Sequence, residues 1–320
     1  MVLRERMRRY PTARRIYRRV VAARGRAINR VGPRVTLDRL PSELGIRLAY
    51  QMLLGREPDQ EGFTTGLVDL RSHGRTIHEF VEGMRGSEEF ANRGFSASML
   101  GSSIHAGRCL FIRSLPKANR IVDLGGTHLA RAEGALVSLG YPYRFEELTI
   151  VDLPSDDRHA IYRGDEHNRV ETHRGPVTYR YHSMTDLSGF ADSSVDLVYS
   201  GQSIEHIHPE EGALVLKSVY RMLRPGGYIA IDTPNGRVTR LMQDEFIDPD
   251  HKVEYTWPEL ERMIIDAGLE VESLQGMNYA GESLASGQFD LGEVAKNSGL
   301  YHAAEECYIL AVLARKPAIS

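Results

Sequence analysis

The 320-residue sequence predicts an α/β protein, a doubly wound and mostly parallel sheet preceded by a small all-α module. Three observations carry this expectation. From about Arg120 onward, short apolar runs alternate with helical stretches. The first two of those runs end in an acid, Asp123 and Asp152, at what would be the carboxyl edge of the sheet. Ahead of them, residues 41–95 carry apolar positions at helical spacing and no strand pattern.

In chain order, residues 1–40 form a basic arm with 13 arginines against two acids, Glu5 and Asp38, a net +11 within a chain whose total is −3. After Pro11, the positions Ile16, Val20, Ala23 and Ala27 recur at helical spacing with arginines on their flanks, and Gly32-Pro33 stops the run. A basic amphipathic helix of this kind suits an anionic membrane surface. A solvated tail has the same composition, and an organelle transit peptide is also rich in arginine and poor in acids. Residues 41–95 read as a helical module. Leu44, Leu48, Met52 and Leu53 share a face, Gly55 to Pro58 breaks the helix, and Asp59 can cap the next one. Residues 96–117 read as a linker helix and 118–320 as the catalytic domain. There Ile121-Val122, Leu148–Val151, Val195–Tyr199, Tyr228–Ile231 and Cys307–Leu313 are the expected strands. Ala130–Leu139, Glu210–Leu223 and Pro258–Ala267 are the expected helices.

Composition narrows the function classes. The chain is 42% hydrophobic and 26% charged, as soluble globular domains are. It has no apolar run of the roughly 18 residues that a membrane span requires. Cys109 and Cys307 make neither a disulfide framework nor a zinc cluster, so a reducing compartment is expected. The N-terminus lacks the apolar core of a secretory signal. The expected location is the cytoplasm, with the arm on the inner face of the membrane.

Two resemblances extend the reading. The string Tyr50–Asp59, then Glu61-Gly62-Phe63 and Ser87-Glu88-Glu89-Phe90, resembles a bacterial helical module of unassigned function that recurs in surface-layer and glycan-assembly proteins. It holds no catalytic constellation, and packing or docking of a protein partner is its expected role. Over about 118–315 the chain is similar to the class I, Rossmann-like S-adenosylmethionine-dependent methyltransferases of small-molecule type. The matching residues are Val122–Gly126, Val151-Asp152, Thr185-Asp186-Leu187 with Phe190–Val198, Ile204–Ile207, and Leu223–Tyr228. That resemblance implies a seven-stranded sheet with an antiparallel last strand, and S-adenosyl-L-methionine as cofactor. It places Asp123, Gly125 and Gly126 in the loop that meets the methionine part, and Asp152 at the ribose hydroxyls. Ser183 and Met184 fall at the adenine, and Gly201 falls where backbone would come close to the cofactor. The first loop is poorer in glycine than the family's, since Thr127, His128 and Leu129 follow Gly126, and Ser183 stands in place of an acid. These departures leave open a catalytically degenerate scaffold.

An alcohol acceptor benefits from a general base, most often histidine. His251 and His206 are the two imidazoles expected within reach, with His251 preferred because Glu205-His206 can simply fix the following helix. No metal site is assigned, because Glu205 and His206 are two adjacent residues with no third ligand in the sequence around them. The Asn/Asp-Pro-Pro-aromatic string of base-amine methyltransferases, the Gly-x-Gly-x-x-Gly fingerprint and the Walker loop are all absent. A nucleic-acid substrate is therefore disfavoured, although an arm gripping RNA phosphates is an alternative. The polar stretch Arg237–Tyr255 suits a hydroxyl-rich acceptor. Together with the module's usual company, it points to O-methylation of a sugar or glycan intermediate in polysaccharide biosynthesis. Asn278–Tyr301, between the last two strands, is a candidate lid, with simple packing as the alternative.

Overall fold

The computed structural model describes residues 37–85, 87, 89, 97–158 and 163–318. The expected basic helix after Pro11 lies outside them, as does part of the Ser87–Phe90 string.

Among the described residues the helical module has three helices, α1 (Ser42–Leu54), α2 (Gln60–Arg71) and α3 (Ile77–Arg85). Gly55 ends α1 in the left-handed region, its amide bonded to the Gln51 carbonyl, and the Asp59 carboxylate caps α2 by accepting from the Gly62 amide. The Arg56-Glu57-Pro58-Asp59 signature makes a local clamp. Arg56 donates two hydrogen bonds to Glu89 and lies over the Tyr50 ring. Ile46, Leu48 and Leu53 of this module share one hydrophobic cluster with Leu110 and Ile112 of helix α4 (Ala97–Ser114) and with Leu148 and Leu197 of the sheet. The residues read as a linker helix are thus the mortar between module and sheet.

Among the described residues the sheet has nine strands: β1 (Arg120–Leu124), β2 (Glu147–Asp152), β3 (Arg169–Glu171), β4 (Pro176–Tyr181), β5 (Val195–Gly201), β6 (Leu223–Pro234), β7 (Glu270–Tyr279), β8 (Leu300–Tyr301) and β9 (Cys307–Arg315). Their spatial order is β3-β4-β2-β1-β5-β6-β9-β7-β8. The expectation of seven strands is corrected by the two short edge strands. β3 pairs antiparallel with β4, and the two-residue β8 pairs antiparallel with β7. β9 runs antiparallel between β6 and β7, as expected for the last strand. Strand β4 forms no continuous apolar run, because its buried residues Val177 and Tyr179 alternate with more exposed ones such as Thr178 and Arg180.

The chain winds from β1 outward to β2 on one side and later returns to place β5 on the other. The carboxyl ends of β1 and β5 therefore flank the switch point, where such sheets open a ligand crevice. Helices α6 (Pro209–Met222) and α8 (Trp257–Asp266) cover one face through Leu216, Val219, Leu260 and Ile264. The α1–α4 layer covers the other face.

One expected element differs. The helix after β1 is only α5 (Gly134–Ser138), because Gly134 sits at φ +79 and the Ala135 amide is taken by the Gly126 carbonyl. The stretch Asn278–Tyr301 carries α9 (Gly281–Ser286) and α10 (Leu291–Lys296), of which Ser283, Val294 and Ala295 are buried, as the packing alternative expects. Asn278 is buried, donating to Ser103 on α4 and to the Val294 carbonyl.

Candidate active site

The residues expected to meet the cofactor converge at the carboxyl edge of β1, β2, β4 and β5. Asp123 is fully buried, one oxygen accepting from the Leu136 amide and the other without a partner among the described residues. Burial pushes its carboxyl up to about 7, against the pull of the Leu136 amide and Arg108. Gly125, at φ +74, turns the loop so tightly that an added Cβ would lie 2.7 Å from Ser203 Cβ and 3.8 Å from Met184 Cε. At Gly126 an added Cβ would strike the Asp123 carboxylate at 2.2 Å. Asp152 closes β2 opposite Tyr181, and Ser183 follows two residues later, its hydroxyl bonded to Thr185.

Asp152 is less open than expected. Its oxygens accept from the Thr127 and Leu153 amides, and Arg158 Nε lies 3.6 Å away. A carboxylate offers roughly four lone-pair positions, so acceptor capacity for a diol remains.

Gly201 ends β5. A Cβ there would meet the Tyr199 hydroxyl at 2.1 Å and Arg108 Nη2 at 2.5 Å. The side chains of this chain itself demand the glycine. They belong to a buried network that sequence reading missed. Arg108 of α4 pairs with Asp232 at 2.9 Å and donates to the Tyr199 hydroxyl, which donates to Asp232 in turn. Gln202 donates to the other Asp232 oxygen at 3.0 Å. One signal was available: Arg108 is a charge followed directly by the buried apolar run Cys109–Ile112. On the same helix, His105 is held to about 4 by burial and by the charges of Arg108 and His128, so it stays neutral at physiological pH.

Beyond β5 the chain forms a second constellation. Ser203 donates to the Leu124 carbonyl at the end of β1, which anchors the turn carrying Glu205 and His206. The segment after β6 begins with α7 (Gly236–Thr239) and folds back, its Lys252 and Val253 amides bonding the Glu205 carbonyl. This brings His251 against His206, ring centroids 4.8 Å apart and edge to face. His251 Nδ1 lies 2.9 Å from Glu254, whose carboxylate also accepts from Thr239 and from the Ile247 amide. Glu205 is fully buried; Thr233 donates to one oxygen, and the other has no partner among the described residues.

The expected His251 is therefore not on an open cover. It is buried, and burial would lower it, but Glu254 and Glu205 raise it above the ordinary imidazole range. His206 is the more accessible of the two and is lowered by burial and by His251. The absence of a third ligand, on which the expectation of no metal site rested, is also corrected. Nitrogen or oxygen atoms of Glu205, His206 and His251 all lie within 4.8 Å of one another.

With that geometry in place, residues 133–231 match the family model described as a methyltransferase domain. The matched span begins beyond the Asp123–Gly126 loop. A protein of Mycolicibacterium smegmatis named for S-adenosylmethionine-dependent methyltransfer is 34% identical over 109 residues, 34% of this chain and 41% of that one. The chain thus spans about two fifths of that relative. The ubiquinone biosynthesis O-methyltransferase of Aeromonas salmonicida is 27% identical over 192 residues, 54% of this chain and 71% of that one. Among solved structures, a methyltransferase of Thermotoga maritima covers 68% of this chain and 91% of its own at 17% identity and a TM-score of 0.47. Residues 133–231 thus resemble a methyltransferase domain, and S-adenosyl-L-methionine is the cofactor which that resemblance implies. One observation fits that group: buried Asp123 keeps an acceptor oxygen without a partner among the described residues, while Gly125 and Gly126 lie against the side chains of Ser203, Met184 and Asp123.

Proposed function

We propose that the chain is an S-adenosylmethionine-dependent O-methyltransferase whose acceptor is a hydroxyl of a sugar or glycan intermediate. The observation that carries the reading is the Glu205–His206–His251 cluster, anchored through Ser203 to the end of β1 beside the cofactor edge. Bound at that edge, the cofactor supplies an electrophilic methyl group. Transfer to an alcohol requires the oxygen in line and somewhere for its proton to go. His206, the half-buried and more accessible imidazole of the cluster, is the residue to take that proton, or, with a cation bound, to hold the ion that acidifies the hydroxyl.

The sugar or glycan acceptor is supported by the segment between β6 and α8. Its exposed residues Arg237, Arg240, Asp244 and Glu245 offer donors and acceptors to a hydroxyl-rich ligand. The helical module's resemblance to glycan-assembly proteins supports it as well, and the basic arm would hold the enzyme at an anionic inner membrane surface. Among the described residues no helix is long and apolar enough to cross a membrane.

One observation favours a second reading. A hollow of about 470 Å³ beside the same segment is lined by Leu100, Leu241, Met242, Phe289 and Leu291, and would take an alkyl chain. A phenol bearing an apolar tail is then the acceptor, a class that the name of the Aeromonas relative also suggests. The test is incubation of the full chain with methyl-labelled cofactor and three acceptor pools: lipid-linked and free sugars, alkylated catechols, and RNA. Label in the sugar pool supports the first reading, label in catechols the second, and label in RNA contradicts both.

A further inference from the structure

We propose that Glu205, His206 and His251 form a binding site for a divalent transition-metal cation. The three residues come from two separate segments, and the fold closes them into one cluster through the main-chain bonds from Lys252 and Val253 to Glu205. Glu205 and His251 each have one atom pinned and another left to bind. Thr233 donates to Glu205 Oε2, which leaves buried Oε1 without a partner among the described residues. Glu254 accepts from His251 Nδ1, which fixes the tautomer and leaves Nε2 as a lone-pair donor. His206, half-buried, faces the His251 ring at 4.8 Å between centroids and offers a ring nitrogen.

A carboxylate, Glu254, orienting an imidazole from behind is the arrangement that metal-bound histidines show. An uncompensated buried carboxylate oxygen is costly unless a cation or a donor meets it. Two imidazoles and one carboxylate favour Mn²⁺, Fe²⁺, Co²⁺ or Zn²⁺ over Mg²⁺ or Ca²⁺, which take oxygen sets. Three protein ligands leave positions open for an acceptor oxygen, as sites that act on a substrate do. A cation there would lower the pKa of a bound hydroxyl. The ligand atoms span up to 4.8 Å, and closure onto metal–ligand distances of about 2.1 Å needs rotation of His206, the half-buried member.

The binding claim rests on these residues alone; the effect on acceptor chemistry rests on the methyltransferase reading above. The test is titration of the untagged full chain with Mn²⁺, followed by the electron paramagnetic resonance signal of the free ion. Cofactor affinity is measured calorimetrically on the same samples. One Mn²⁺ per chain is expected. His206→Ala and Glu205→Gln should weaken it at least tenfold, and Glu254→Gln by roughly 10- to 100-fold. His73→Ala, an exposed residue of the helical module, should change nothing. His206→Ala keeps the test decisive if the Glu205 variant does not fold. No Mn²⁺ bound by the folded wild type, or equal affinity in wild type and His206→Ala, overturns the proposal. Loss of cofactor binding with retained Mn²⁺ binding would instead count against the methyltransferase reading while upholding the metal site.

Discussion

Arg108 Nε lies 2.9 Å from Asp232 Oδ1, joining the helix ahead of the sheet to the end of β6. Asp232 is fully buried, and its other contacts are neutral, from Tyr199 and Gln202. Replacing Arg108 by Met would leave that carboxylate uncompensated, a loss of about 3–5 kcal/mol when one partner of a buried pair is removed. Urea unfolding of Arg108→Met should show that loss. A variant within about 0.5 kcal/mol of wild type would mean that Asp232 is solvated or protonated instead.

Much of the sheet was legible because apolar runs ending in acids or turns report buried parallel strands directly. Asp123, Gly125, Gly126 and Asp152 do meet at one edge, since each sits at the end of a strand whose position the topology dictates. The Arg108–Asp232 pair was not legible. Its partners are separated by more than a hundred residues, and nothing local in either segment specifies the other. His251 shows the same limit. Its residue type drew attention, but the return of its segment onto Glu205 depends on long-range main-chain bonds that leave no periodic trace. At Gly201 the close neighbours among the described residues are Tyr199 and Arg108, the latter brought there by a distant part of the chain.

Asp123 gives a pH signature. Its folded value of about 7 exceeds the ordinary 3.8, so the folded state binds the extra proton between those values. Stability from this group is present at low pH and is lost as pH rises through that window. Asp123→Asn should therefore gain on wild type between pH 5 and pH 8 in urea midpoint. An equal difference at both pH values would show that Asp123 is not raised.

His105 runs the other way. Its folded value of about 4 lies below the ordinary 6.5, so stability from it is intact above 6.5 and lost as pH falls toward 4. Its ring proton shifts should stay unchanged from pH 8 to 5.5 in an NMR titration. A midpoint near 6.5 would contradict the buried placement on α4.

Asp152→Ala should weaken cofactor binding through loss of bonds to two hydroxyls, each charge-assisted bond being worth about 1.5–3 kcal/mol. Calorimetry should show a Kd raised at least tenfold, with the fold retained by circular dichroism. An unchanged Kd would remove Asp152 from the ribose position.

Deleting residues 1–35, which carry most of the basic charge of the arm, should abolish sedimentation with anionic vesicles and leave cofactor affinity intact. Continued sedimentation of the truncated chain would end the membrane reading.

The account stands most directly on transfer of labelled methyl from S-adenosyl-L-methionine to a hydroxyl acceptor by wild type and His206→Ala. Wild type should label an oxygen, and the variant should be slower by roughly 10²–10⁴ with its cofactor Kd unchanged. Label on nitrogen, or full turnover in the folded variant, would contradict it.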